Sequence, residues 1–172
     1  SKKISLVQIS PASGWSGDSL DVNGNPPFLE KDLNKLNPEY WNGFDEKVQY
    51  ANENGIAVFI VGLMEPVDRY PSSEQASLFA RNIAGRMAGN FVILSPSFDS
   101  RFMELANEVG RVVNKATSRH LITQHPGTPS RRPIHIIADR YYNEDYLDFS
   151  MCQSGDNRGN RKLCLWQAIH WN

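Results

Sequence analysis

The sequence predicts an α/β fold in which helices cross over a parallel sheet. Strand-like runs alternate with segments of helical periodicity, which is the pattern of right-handed βαβ units. The run Ile56–Leu63 is almost continuously apolar, as expected of a strand that is buried on both faces of a parallel sheet. Two architectures fit this alternation. One is an incomplete (β/α)8 (TIM) barrel, since a whole barrel needs about 250 residues; the other is a five-stranded, doubly wound open sheet.

Five strands are predicted, each from a short run of apolar residues. Their ranges are Ile4–Ile9, Ile56–Leu63, Phe91–Ser95, His120–Gln124 and Leu147–Met151. A further apolar run at 134–138 predicts either a short strand or part of an extended loop.

Three helices are predicted from their start signals and from apolar residues at helical spacing. The first begins with Asn37 as N-cap and Pro38 at the first helical position, and its apolar stripe is expected to bury Trp41. The second begins with a capping-box pattern at Ser72–Gln75. Apolar residues at helical spacing over 102–113 predict the third.

Length and charge limit the classes of function. The 172 residues fit a single domain over 1–172, and 40% hydrophobic with 22% charged residues excludes a disordered chain. A net charge of −1 argues against a nucleic-acid partner, which requires a basic face. No apolar run approaches the ~20 residues of a membrane span. Because Ser1-Lys2-Lys3 leads straight into a strand-like run, no signal peptide is expected here.

The two cysteines and the motif content predict no metal and no cofactor. Cys152 and Cys164 lie 12 residues apart, so they form either a bridge that closes a short loop or two reduced, buried thiols. There is no second cysteine pair and no histidine at ligand spacing for zinc. The glycine-rich phosphate loops and the nucleophile elbow GxSxG are absent from the sequence.

Polar residues follow the predicted strands at their C-terminal ends, whereas the opposite loops are short helix stops. Both architectures place functional sites at the C-terminal ends of parallel strands. Asp99 directly follows a buried strand, so it is either a general acid or base or the N-cap of the next helix. Glu65 ends the preceding strand and is either a site carboxylate or a solvated loop charge.

Other strand ends supply hydrogen-bonding groups that suit a ligand rich in hydroxyls. Gln8, Gln124 and His125 lie at two of these ends, and Gln153 and Ser154 follow the last predicted strand. Each is a candidate substrate-binding residue; for His125, Gln153 and Ser154 the alternative is a side chain satisfied by its own loop. The aromatic residues that can serve as stacking platforms for sugar rings are Trp15, Trp41, Tyr70 and Phe98, although Trp41 fits better into the buried stripe of its helix.

Six motifs occur in an order and spacing that resemble the apiosidase-like glycoside hydrolases, whose catalytic domain is a (β/α)8 barrel. They lie at Leu36–Trp41, Glu53–Ile56, Tyr70–Ala76, Ala80–Ile93, Thr123–Gly127 and Leu147–Gly155. The resemblance implies that the five strands are barrel strands two to six. It also implies a carbohydrate substrate, hydrolysis of polysaccharide side chains, no cofactor, and a secreted or periplasmic location.

The resemblance assigns a role to Asp99. In this family a segment of the type Asn-Pro-Val-Ile-Trp-x-x-Gly-Gly-Asp carries the catalytic acid/base after strand four, and here it is the segment from Asn90 to Asp99. Ser97 and Phe98 stand where the family has two glycines. Asp156 stands where the family has a histidine after Gln-Ser-Gly.

The family's nucleophile is a glutamate after strand seven, and neither that strand nor the first lies within these residues. Glycosidases use two carboxyl groups, about 5–5.5 Å apart in retaining and about 6.5–9.5 Å apart in inverting enzymes. The sequence therefore predicts a glycosidase that lacks its second carboxylate in this chain. The alternatives are a non-catalytic carbohydrate-binding pseudoenzyme and an inactive fragment. Missing barrel segments or contact with another copy would complete the open strand edges.

Overall fold

Alternating strands and helices make up the computed structural model, which describes residues 3–12, 20–63, 72–98, 103–125 and 144–151. The strands are β1 (Leu6–Ile9), β2 (Ala57–Val61), β3 (Val92–Ser95) and β4 (Leu121–Ile122). The helices are α1 (Pro38–Glu53), α2 (Ser73–Arg86) and α3 (Met103–Ala116), and a 3-10 turn at Leu29–Lys31 precedes α1. Among the described residues, no helix is long and apolar enough to cross a membrane.

The sheet is parallel throughout, and its spatial order is β1-β2-β3-β4. Each crossover therefore moves the chain one strand in the same direction. Since such crossovers are right-handed, all the connecting helices lie on one face of the sheet. A doubly wound sheet instead reverses direction at a switch point. The described strands thus confirm the barrel-type prediction, and the doubly wound alternative is wrong for them.

The two faces of the sheet have different partners. Alternate strand residues belong to the core that the helices cover, and these are Val58, Ile60, Val92, Leu94 and Ile122. Their strand neighbours, including Phe59 and Ile93, point to the opposite side, which is the interior side of a barrel and is called the inner face below. All five residues of β2 are buried, which confirms the strand predicted from its apolar run.

The predicted helix starts are confirmed in detail. The side chain of Asn37 accepts a hydrogen bond from the Glu39 N–H at 3.2 Å, and Pro38 is the first helical residue. Ser72 and Gln75 form the reciprocal capping box, with bonds of 3.2 Å and 3.1 Å. Trp41 is fully buried, and its indole N–H donates to the Pro27 carbonyl at 2.7 Å. The local sequence signals therefore determine where α1 and α2 begin.

A close contact with Tyr146 explains the glycine in the interior of α3. A Cβ atom at Gly110 would lie 2.4 Å from a ring carbon of Tyr146, which is 2% exposed. Real Cβ contacts are never that short, so only glycine leaves room for the aromatic ring. The ring is thereby seated directly on the backbone of α3.

The strand predicted at Leu147–Met151 is not formed, although this segment does run beside β4. The Asp148 N–H donates to the Ile122 carbonyl at 2.9 Å, and the Asp148 carboxylate accepts from the Ile122 N–H at 2.7 Å. Next to it, the Thr123 hydroxyl donates to the Phe149 carbonyl at 2.8 Å. Side chains thus replace the main-chain groups that would continue a ladder, so the prediction of a fifth regular strand is wrong.

Candidate functional site

The ends of β3 and β4 are fixed to each other by one buried hydroxyl group. Ser95 is the last residue of β3 and is fully buried. Its Oγ accepts a hydrogen bond from the His125 N–H at 2.8 Å and donates to the Ser97 carbonyl at 2.8 Å. The hydroxyl therefore joins the chain leaving β3 to the chain leaving β4, at the end of the sheet where the site was predicted.

His125 is buried among aromatic rings on the inner face. Its ring centroid lies 4.7 Å from that of Phe98 and 6.4 Å from that of Phe59. Phe59 lies in β2 on the side opposite the helix-covered core, so these three rings line the inner face. Phe98 is half-buried and reaches solvent beside His125. The predicted stacking platform at Phe98 and the predicted ligand His125 are thus direct neighbours.

Gln8 lies on the same inner face. It is the β-sheet register partner of Phe59, and directly opposite residues in a sheet point to the same side. Its side chain is exposed. Gln8 and His125, two of the predicted substrate-binding residues, therefore lie on the same inner face. Phe59 of β2 lies between them.

Gln124 is directed to the other side of the sheet, toward α3. Its Oε1 accepts a hydrogen bond from the Ser97 hydroxyl at 3.0 Å, and its Nε2 donates to the Tyr146 hydroxyl at 2.7 Å. Tyr146 in turn donates to Asn107 Oδ1 of α3 at 2.8 Å. Gln124 is 4% exposed, and both ends of its amide have protein partners. Its role in binding a sugar stays a prediction.

The remaining predicted site residues lie outside the described residues. These are the proposed acid/base Asp99 together with Glu65, Gln153 and Ser154. The platform candidates Trp15 and Tyr70, the cysteines Cys152 and Cys164, and the run at 134–138 also lie outside them. Phe98 is the last described residue after β3, and Asp99 follows it directly in the sequence.

The sequence predicted no hydrogen-bonding role for four polar residues that lie at or next to this end of the sheet. They are Ser95, Ser97, Asn107 and Tyr146. A serine at the end of a buried strand is a weak signal, and nothing in the linear sequence connects residue 107 with residue 146. No group of three or more His, Cys, Asp or Glu side chains within the described ranges is arranged to hold a metal ion.

Two solved structures with the same chain path define the class of fold. One is described as a glycoside hydrolase; it has 16% sequence identity and a TM-score of 0.64, with 90% of this chain and 37% of that chain aligned. The other is a glycoside hydrolase family 5 protein from Bacteroides vulgatus, with 18% identity, a TM-score of 0.64, and 95% and 38% of the two chains aligned. The chain thus spans under two fifths of the length of either structure.

The sequence itself identifies the family. The family model "Apiosidase-like, catalytic domain" matches residues 2–170, which is nearly the whole chain. No curated protein matches the chain. The chain therefore belongs to the apiosidase-like catalytic-domain family, as its six motifs predicted.

Proposed function

We propose that this chain is the part of a glycoside hydrolase that carries the general acid/base, and that Asp99 is that residue. The observation that carries the proposal is the fixed geometry of the β3 exit. Ser95 and Ser97 are buried and hydrogen-bonded at the C-terminal end of the parallel sheet, and Asp99 comes two residues after Ser97 in the sequence. That end is where catalytic residues of β/α barrels lie.

In this proposal Asp99 protonates the glycosidic oxygen as the aglycone leaves and then activates the incoming water. The inner face supplies the sugar site, with the exposed Gln8 amide as a hydrogen-bonding group and the half-buried Phe98 ring as an apolar surface for a sugar ring. His125 beside the Phe98 ring, together with Glu65, Gln153 and Ser154, completes the proposed set of substrate ligands. Both the retaining and the inverting mechanism also require a second carboxyl group.

The proposed substrates are side chains of plant or microbial polysaccharides. The direct test uses the full-length protein on pectin side-chain oligosaccharides and on a panel of 4-nitrophenyl glycosides. We expect Asp99→Asn to lower kcat/KM by about 10²- to 10⁴-fold on natural linkages, because proton transfer to the leaving oxygen is lost. Glu46→Gln is the matched control, since this carboxylate is exposed on α1, away from the β3 exit.

Unchanged turnover in Asp99→Asn would remove this residue from the mechanism. The second candidate, a carbohydrate-binding protein without activity, is favoured by the position of Phe98, which places a bulky ring where the family has glycine. Calorimetric binding of an oligosaccharide by the full-length wild type, with no hydrolysis of that sugar, would support the second candidate and overturn the first.

A further inference from the structure

We propose that Gln124 and Tyr146 are positioning residues that hold the β3 exit segment, residues 95–98, in the orientation from which Asp99 acts. This inference rests on the proposed function. It differs from the substrate-binding role predicted for Gln124 from its place at a strand end, because it assigns the amide to the protein scaffold rather than to the sugar. Neither residue needs to touch the substrate in this role.

Three consecutive hydrogen bonds, called the connection below, link the β3 exit segment to α3. Ser97 Oγ donates to Gln124 at 3.0 Å, Gln124 donates to the Tyr146 hydroxyl at 2.7 Å, and Tyr146 donates to Asn107 at 2.8 Å. Ser97, Gln124 and Tyr146 are at most 4% exposed. Since water cannot easily replace a lost partner at such depth, each bond strongly restricts the next group.

Tyr146, at the end of this connection, is attached to α3 by packing, by its own hydrogen bond and by contacts of the nearby Glu144. The Tyr146 ring rests on Gly110, one turn of helix after Asn107. Glu144 accepts from Asn107 Nδ2 at 2.9 Å and pairs with Arg111 at 2.5 Å. The Tyr146 hydroxyl is therefore held by packing beneath the ring and by the segment on its N-terminal side. Such an anchor can fix the position of Gln124 and, through it, of Ser97.

The hydrogen bond from Ser97 to Gln124 is possible only because serine replaces the first of the family's two glycines. A glycine at position 97 has no hydroxyl and could not donate to Gln124, whereas Ser97 does so from a fully buried site. Ser97 and Phe98 also restrict the backbone more than two glycines would. The side-chain bond from Ser97 adds a second constraint, two residues before Asp99 in the sequence.

The test uses the full-length protein with Tyr146→Phe, which keeps the ring on Gly110 and removes only the hydroxyl. On a sugar that the wild type cleaves, kcat/KM is measured for aryl and alkyl glycosides whose leaving groups span a wide range of pKa. A misplaced general acid lowers the rate little when the leaving group departs as a stable anion. It lowers the rate most when the leaving group must be protonated. We expect less than about threefold loss with dinitrophenol and about 10- to 100-fold loss with alkyl leaving groups.

Two further measurements separate positioning from general damage. Tyr50→Phe, at an exposed tyrosine of α1, is the matched control and should leave every rate unchanged. Amide hydrogen exchange of a peptide covering residues 95–98 should become faster in Tyr146→Phe, whereas exchange in α1 should not change. Ser97→Ala should give the same leaving-group dependence as Tyr146→Phe.

The outcomes distinguish this inference from the proposed function. If Asp99→Asn shows the leaving-group dependence and Tyr146→Phe does not, the positioning role is overturned while the acid/base role stands. If Asp99→Asn leaves all rates unchanged, the proposed function fails. In that case faster hydrogen exchange at residues 95–98 in Tyr146→Phe would still show that Tyr146 restrains this segment. Unchanged exchange would show that it does not.

Discussion

At the level of single residues, the hydroxyl of Ser95 shows how parallel strands are joined beyond the end of their ladder. Regular pairing of β3 with β4 stops at Leu94 and Ile122. The Ser95 Oγ then takes the role of a main-chain group for both His125 and Ser97. A residue that both donates and accepts is needed here, because one partner is an N–H and the other is a carbonyl.

We therefore expect Ser95→Ala to lower the free energy of unfolding by about 1–3 kcal/mol, since it leaves the buried His125 N–H without an acceptor. Urea denaturation with matched m-values measures the change. Ser118→Ala, at an exposed position between α3 and β4, is the control. A loss of less than about 0.5 kcal/mol in Ser95→Ala, equal to that of an ordinary surface change, would contradict this account.

His120 provides a prediction about pH. It is 6% exposed, and its Nε2 has no hydrogen-bond partner among the described residues. Burial lowers the pKa of His120 below its ordinary 6.5, the nearby Arg119 charge adds to this, and the Ala84 carbonyl opposes it. The unfolded chain therefore binds a proton more readily than the folded one, so the contribution of this group to stability is fully present above about pH 6.5 and is lost as the pH falls below it.

His120→Gln removes this titration while keeping a polar side chain of similar reach. We expect the wild type to lose more stability than His120→Gln between pH 7.5 and pH 5, as measured by thermal unfolding at both values. The other three histidines are present in both proteins, so any contribution from them cancels in the comparison. Equal pH dependence of the two proteins would show that His120 is not the responsible group.

At the level of elements, the helices follow their local signals more faithfully than the strands do. The caps at Asn37 and Ser72 act over two or three residues, so the sequence alone predicts them. The segment Leu147–Met151 has the apolar content of a strand, yet Asp148 bonds to β4 through its side chain as well as its backbone. Apolar content predicts that this segment packs beside the sheet, but it does not predict which groups make the hydrogen bonds.

Two helix glycines offer a matched comparison at this level. Gly→Ala in a helix interior usually stabilises by about 0.5–1 kcal/mol, because alanine restricts the unfolded chain. Gly85 in α2 has no described atom within 4 Å of its would-be Cβ, so Gly85→Ala should show this gain. Gly110→Ala should instead destabilise by about 1–3 kcal/mol, because its Cβ would displace the Tyr146 ring.

Thermal and urea unfolding of both variants measure the comparison. A gain in Gly110→Ala as large as that in Gly85→Ala would show that Tyr146 does not rest on α3 as described. Because the same ring anchors the connection to Ser97, Gly110→Ala is also expected to increase hydrogen exchange at 95–98, whereas Gly85→Ala is not.

At the level of the whole molecule, the strand order carries the most information. The alternation of strands and helices fits two architectures equally, and only the observed order β1-β2-β3-β4 separates them. Leu6 and Leu121, whose register neighbours lie on the inner face, are 47% and 44% exposed. In a closed (β/α)8 barrel the facing strands and the layers of interior side chains cover such positions.

The amino-acid sequence was sufficient to predict the parallel α/β class, the segments that form β1 to β4, the starts of α1 and α2, the burial of Trp41, and membership of the apiosidase-like family. These features depend on local periodicity, on helix caps and on short motifs, all of which involve residues that are close together in the sequence. Only the tertiary structure shows that the adjacent Gln124 and His125 lie on opposite faces of the sheet, and that hydrogen bonds join Ser95 to His125 and Ser97 through Gln124 to Tyr146. The physical reason is that these contacts join groups 20 to 40 residues apart, whose meeting depends on how the sheet and α3 pack together.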